Sequence, residues 1–166
     1  MNKNFVNAFF FFLENLGAGI WVGALLTFGA AVALPVFRGL PSLTQAGAIT
    51  ADILHRINVI EASAATLMAV AALVFLLQRG QRTPIRLGKT AVVVLMTVTF
   101  LYYASILMTR MEHLRRVEIR NFDEFSETTR VFRDEFDGLH RLYTRLAKAN
   151  LFLGLGFLLL SAFEKK

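Results

Sequence analysis

Four blocks of 18 to 22 residues, nearly free of charge, govern what this chain can fold into: 16–37, 57–77, 90–109 and 146–163. Between them they hold only two charged residues, Glu61 and Lys148. About 20 residues at a helical rise of about 1.5 Å each cross the roughly 30 Å hydrocarbon core of a bilayer. Hydrocarbon gives the backbone no hydrogen-bond partner, so such a block satisfies its own amides as a helix. The sequence therefore predicts an all-α fold, a four-transmembrane-helix bundle forming a single membrane domain over residues 1–166. The composition agrees: 55% of the 166 residues are hydrophobic and 18% charged, with a mean hydropathy of +0.53. Soluble domains carry about 25% charged residues.

Punctuation between the blocks sets their ends. Phe5–Leu13, with four consecutive phenylalanines at 9–12, reads as a boundary segment before the first span. The whole apolar block from Phe5 to Phe37 is too long for a signal-peptide core. Pro35 and the run Arg38-Gly39-Leu40-Pro41-Ser42 are expected to end the first helix, since proline cannot donate to the helical ladder. A helical pattern starts near Leu43, ahead of the second span, which ends at Gln78-Arg79-Gly80. A basic loop with Arg79, Arg82, Arg86 and Lys89 follows.

Residues 110–145 read as a solvated helical hairpin between the third and fourth spans. Arg110 to Lys148 contains nine basic and eight acidic residues. Opposite charges recur at helical spacing: Glu112 with Arg116, Arg130 with Asp134, Arg133 with Asp137, and Asp137 with Arg141. Phe132, Phe136, Leu139, Tyr143 and Leu146 alternate steps of four and three, the spacing of a helix-packing seam. Asn121 and Glu124 have the spacing of a capping box.

The net charge of +6 is concentrated at the block boundaries, where basic residues meet lipid headgroups and set topology. No basic recognition helix or RNA-binding motif accompanies it, so nucleic acid is excluded as a partner. Seven Lys and Arg lie on the side of the termini and eleven on the hairpin side. The short uncompensated 79–89 loop favours cytoplasmic termini, against the larger count. There are no cysteines, which removes disulfides, iron–sulfur clusters and thiolate chemistry. His-Glu-x-x-His, Gly-x-Ser-x-Gly and Walker motifs are absent as well.

Polar residues inside the apolar blocks are the site candidates. Glu61 lies about one turn inside the second span, and a carboxylate there needs a partner. Arg110, His55, Asn58 and Asn150 are expected at similar depth, giving a polar cluster at one end of the bundle. That cluster reads either as a proton, ion or ligand site or as an ion pair fixing helix register. His55, His113 and His140 fall near the same boundary and could ligate haem iron or copper. Without ligand spacing, histidines are more commonly interfacial residues bonded to neighbouring helices or water. Gly19 and Gly23 form Gly-x-x-x-Gly, with Gly29 beyond, a stripe for helix packing inside the bundle or for dimerisation. Trp21 reads as packing.

Several ordered motifs resemble a known group. They are Trp21-Val22-Gly23-Ala24, Pro35-Val36-Phe37-Arg38-Gly39-Leu40-Pro41, Thr109-Arg110, and Phe136-Asp137-Gly138-Leu139-His140 with Asn150 ten residues on. The set resembles the transmembrane protein 205-like family of small four-helix membrane proteins. A fainter similarity is to the copper-resistance D-type membrane proteins. The first resemblance implies largely unassigned biochemistry, with a hint of metal or drug handling. It also raises Arg110, His140 and Asn150 as a shared site and lowers His113. The second implies copper or haem.

Three functions follow as expectations. The first is a non-catalytic accessory or structural subunit, packed against other membrane subunits or its own copies in a bacterial inner membrane. The second is a transport or tolerance factor for a metal ion or small solute. The third is a haem- or copper-binding electron carrier.

Overall fold

The computed structural model describes residues 3–78 and 83–164. Arg79, Gly80, Arg82, Lys165 and Lys166 lie outside them. Every regular element is helical, and four continuous rods are long and apolar enough to cross a membrane. The chain is thus an all-α integral membrane protein. The first rod is α1 (Lys3–Thr27), a π segment (Phe28–Ala33) and α2 (Leu34–Gly39). The second is α3 (Leu43–Leu77). The third joins α4 (Pro84–Leu101), a π segment (Tyr102–Leu107), α5 (Met108–His113) and a second π segment (Leu114–Ile119). The fourth is a 3₁₀ turn (Glu127–Thr129) followed by α6 (Arg130–Ala162).

The apolar blocks are only the middles of these rods. The rods run to 35 or 36 residues each, about 54 Å at the helical rise, well beyond the hydrocarbon core. Pro35 does not stop the first rod. The π segment lies directly before it and Pro35 enters α2 in its first turn. A wider turn of this kind re-satisfies backbone groups that a proline frees.

Side-chain caps set two of the starts. Ser42 accepts from the Gln45 amide at 3.1 Å ahead of α3, and Thr83 accepts from the Arg86 amide at 3.3 Å ahead of α4, with Pro84 in the first turn. The hairpin tip closes onto the first loop. Asp123 accepts from the Ser42 hydroxyl and the Leu43 amide, each at 2.6 Å. Asn121 accepts from the Thr44 hydroxyl at 3.1 Å and from the Asp123 amide at 3.0 Å. The expected capping box is therefore a turn, and α6 begins only at Arg130.

The expected charge ladder is partly realised. Glu112 pairs with Arg116 as well as with Arg115. Arg130 faces Glu127 at 3.6 Å instead of Asp134. Arg133 donates to the loop carbonyls of Asn121, Phe122 and Glu124.

α1 packs against α3 and α6, and α4 packs against the same two helices. The core between them holds Ala18, Trp21, Ala64, Met68, Met96, Phe100, Tyr103 and Phe157. Phe136, Leu139, Tyr143 and Leu146 of the α6 seam reach this core from the hairpin side. Two glycines permit the closest approaches. A Cβ on Gly17 would lie 2.8 Å from Met68 Cγ and 2.9 Å from the Ala64 carbonyl oxygen; one on Gly154 would lie 2.7 Å from Val22 Cγ2. Gly19, Gly23 and Gly29, the expected stripe, have nothing within 4 Å of such a Cβ. Trp21 turns the other side of α1 inward, and those three glycines turn outward with Leu16 and Ile20.

Candidate functional site

Glu61 is fully buried near the middle of α3. Its neighbours on the inward face are Asn58, Ala64, Ala65 and Met68, at the three- and four-residue steps of one helix side. Two donors from other rods converge on one carboxylate oxygen. The Trp21 indole Nε1 donates to Oε1 at 2.6 Å, and the Tyr103 hydroxyl donates to the same atom at 2.5 Å. The second oxygen, Oε2, is buried and accepts no hydrogen bond among the described residues. Neither donor is charged. A buried carboxylate usually has a cation beside it, because the cost of stripping its water is several kcal/mol. Here two neutral dipoles hold one oxygen and leave the other available.

The surroundings are polar on one side only. Tyr103 meets Phe100 and Tyr143 edge-on, with ring centroids 5.6 and 5.0 Å apart. The Tyr143 hydroxyl donates to Asn58 Oδ1 at 3.2 Å, and Asn58 Nδ2 lies 3.0 Å from the Met108 sulfur. Asn150 is fully buried, donates to the Met96 carbonyl at 3.0 Å and lies beside Tyr103. Its Oδ1 accepts nothing among the described residues. A string of polar groups thus runs from Glu61 through Tyr103, Tyr143 and Asn58 towards the hairpin end.

Of the expected cluster, the structure gathers Glu61, Asn58 and Asn150 and leaves out Arg110 and His55. Arg110 makes a two-pronged pair with Glu135 of α6, at 2.7 and 2.9 Å, with nearly half of its side chain exposed. The reason is depth. Glu61 is level with Tyr103, and Arg110 lies seven residues farther along the rod, about 10 Å towards the hairpin. α3 begins at Leu43, so Glu61 stands near the middle of that helix while lying about one turn inside the apolar block 57–77.

The three histidines have separate surroundings. His55 lines a cleft between α3 and the third rod. His113 faces Glu118 at 3.4 Å. His140 stacks on Phe136, with ring centroids 6.2 Å apart. Among the described residues no group of three or more His, Asp or Glu is arranged to hold a metal ion.

A second buried polar cluster was not legible beforehand. At the end of the bundle near the termini, Lys89 pairs with Glu14 and, at 2.7 Å, with Glu164, and Arg86 pairs with Glu164. The Lys89, Glu14 and Glu164 side chains are all more than nine-tenths buried. Lys89 also sits 4.9 Å from the Phe157 ring centre, and Arg86 lies over Phe75 at 4.0 Å. Two acids and two bases balance, and they join α1, α4 and the end of α6. Lys89 and Arg86 read as loop charges in the sequence. One signal was available: Glu14 lies four and seven residues before Ala18 and Trp21, on the same helix face.

Neither a curated protein nor a solved structure matches the chain. One family profile does, over residues 16–118, which is more than half of the chain. The matched stretch contains Trp21, Asn58, Glu61 and Tyr103 and stops before Tyr143 and Asn150. It gives no specific support to the transmembrane protein 205-like or copper-resistance D-type resemblance. On this match the chain belongs to the family described as domain of unknown function (DUF4149).

Proposed function

We propose that this protein is a membrane transport or tolerance factor for a cation or small solute, with Glu61 as the group that takes up and releases a proton or cation. One observation carries the reading: a fully buried carboxylate, at mid-helix in a membrane rod, whose Oε2 has no hydrogen-bond partner among the described residues and no cation beside it. Ionisable groups kept at such a cost inside membrane helices mark ion and proton sites. Trp21 and Tyr103 fix the orientation of Oε1, so that Oε2 is the exchanging atom. The core around it is filled by Ala18, Ala64, Met68 and Phe100. Movement across the membrane in this reading requires the rods to shift against one another, or a path shared between copies.

The test uses purified protein in liposomes carrying a pH-sensitive dye, with a potassium diffusion potential as the driving force. Wild-type vesicles should change internal pH faster than empty ones. Glu61→Gln should return the rate to that of empty vesicles while helicity and elution volume in detergent are retained. Equal rates for wild type and Glu61→Gln overturn the reading.

A second reading is the non-catalytic accessory subunit in a larger assembly of a bacterial inner membrane. The outward Gly19, Gly23 and Gly29 face favours it, since small residues let another transmembrane helix approach closely. Cysteines placed at 19 and 23 should crosslink to a membrane partner or a second copy. An unchanged monomer on oxidation counts against it.

A further inference from the structure

A cleft of about 660 Å³ lies away from Glu61, on the outer seam between α3 and the third rod. Along the third rod its lining runs from Ala104 to Arg116, about 18 Å of helix. Its chemistry is graded along that length. The membrane end is apolar, formed by Ala104 and Met108. The hairpin end carries Arg56, Glu112, Asp52 and Arg116. The two rods are antiparallel, with Asn58 beside Met108 and Thr44 hydrogen-bonded to Asn121. Arg56 is therefore the deepest charge, at the edge of the apolar blocks, and Arg116 the outermost.

The charges at this end do not cancel. Glu112 is shared by two guanidiniums, Arg115 at 2.8 Å and Arg116. Arg56 and Asp52 are in no ion pair among the described residues, and Arg56 and His55 are exposed to the cleft mouth. Of the lining charges, Arg56 and Arg116 stand against Asp52 and Glu112, but Glu112 is divided between Arg116 and Arg115 from outside the cleft, so Arg116 is only half compensated and Arg56 is unpaired among the described residues. An apolar slot beside the apolar blocks, topped by the unpaired Arg56 and the half-compensated Arg116, has the polarity profile of a phospholipid, in the same direction. Guanidinium forks suit phosphate oxygens.

We propose that this cleft binds one anionic glycerophospholipid, its phosphate held by Arg56 and Arg116 and an acyl chain lying along Met108 and Ala104. The site is separate from Glu61, and its failure leaves the carboxylate reading untouched.

The test is native mass spectrometry of the full chain in detergent, titrated with dioleoyl phosphatidylglycerol and separately with dioleoyl phosphatidylcholine. The expected result is one phosphatidylglycerol retained per chain. Binding should weaken about fivefold for Arg56→Gln or Arg116→Gln, and about 25-fold for the pair, from the loss of about one favourable charge each. Arg141→Gln, on the exposed side of α6, should leave binding unchanged. Glycerol phosphate at the same concentration should not compete. Equal binding by the double variant overturns the proposal, as does equal weakening by Arg141→Gln, which would mark general charge attraction. Full competition by glycerol phosphate also overturns it, in favour of a soluble phosphate ligand. Thermal unfolding without lipid separates a lost site from a lost fold, and Arg56→Lys should retain more binding than Arg56→Gln.

Discussion

The indole of Trp21 donates to Glu61 across 2.6 Å, joining α1 to α3 at the centre of the bundle. The two residues are 40 positions apart, and both are fully buried. A tryptophan in an apolar span looks like bulk, yet this one supplies half of the hydrogen bonding that the carboxylate receives. Trp21→Phe keeps most of the volume and removes the donor. It should destabilise the protein in detergent by about 1–3 kcal/mol, the loss of a buried hydrogen bond to a carboxyl group that then keeps only Tyr103. In a Glu61→Leu background the same change should cost far less. A double-mutant cycle by thermal unfolding checks this, and additive losses would show that the pair is not coupled.

Lys89 is the hinge of the second cluster. Lys89→Ala strands Glu14 in a buried site, while Glu164 keeps Arg86, and such an uncompensated charge costs about 3–5 kcal/mol. Adding Glu14→Gln should recover part of the loss. Arg110→Ala, at a partly exposed pair with Glu135, should leave stability nearly unchanged. Unfolding midpoints for the three variants decide the order, and a larger loss at Arg110 than at Lys89 contradicts this assignment.

The rods were readable because charge depletion over about 20 residues has one solution in lipid. The pairings were not. Arg110 and Glu61 looked like partners because both sit near the ends of apolar blocks, but block ends are not helix ends. α3 extends to Leu43, which puts Glu61 at mid-helix, where Trp21 and Tyr103 reach it and Arg110 turns to Glu135 instead. The glycine spacing left its direction open for a related reason. Gly-x-x-x-Gly gives a face but not its direction, and the direction was set by Glu14, Ala18 and Trp21 on the opposite side of α1. Lys89 read as a loop charge because four basic residues cluster there; only the arrival of Glu14 and Glu164 from distant segments makes it a core residue. Asn58 and Asn150, polar residues inside apolar blocks, are both buried.

The direction of that α1 face can be tested with single methyl groups. Gly17→Ala puts a Cβ against the Ala64 carbonyl, a backbone atom that cannot swing aside. Gly154→Ala meets Val22 and Met96, which can shift in part. Overpacking of this kind costs about 1–3 kcal/mol, with Gly17 the more severe. Gly19→Ala and Gly23→Ala meet nothing within the bundle and should leave the isolated protein as stable as before or slightly more so. Thermal unfolding in detergent separates the two pairs. Equal losses at all four positions would mean that both faces of α1 are packed.

Acid should open the hairpin tip before it affects the bundle. The Ser42 hydroxyl, followed by the Thr44 hydroxyl and the Leu43 and Thr44 amides, holds the Asp123 carboxyl below its ordinary range. A carboxyl depressed in the folded state stabilises it above the unfolded pKa of about 3.9, and loses that contribution as pH falls through its lower folded value. The contact of residues 121–123 with the start of α3 should therefore hold at neutral pH and loosen below about pH 4. Hydrogen exchange at the Leu43 amide, followed by mass spectrometry after pulses at decreasing pH and corrected for intrinsic exchange, reads the change directly. Asp123→Asn should show the loosened state already at pH 7, with the exchange of α4 core amides unaltered. Protection at Leu43 that is equal in wild type and Asp123→Asn would mean that the loop is held by Thr44 and Asn121 alone.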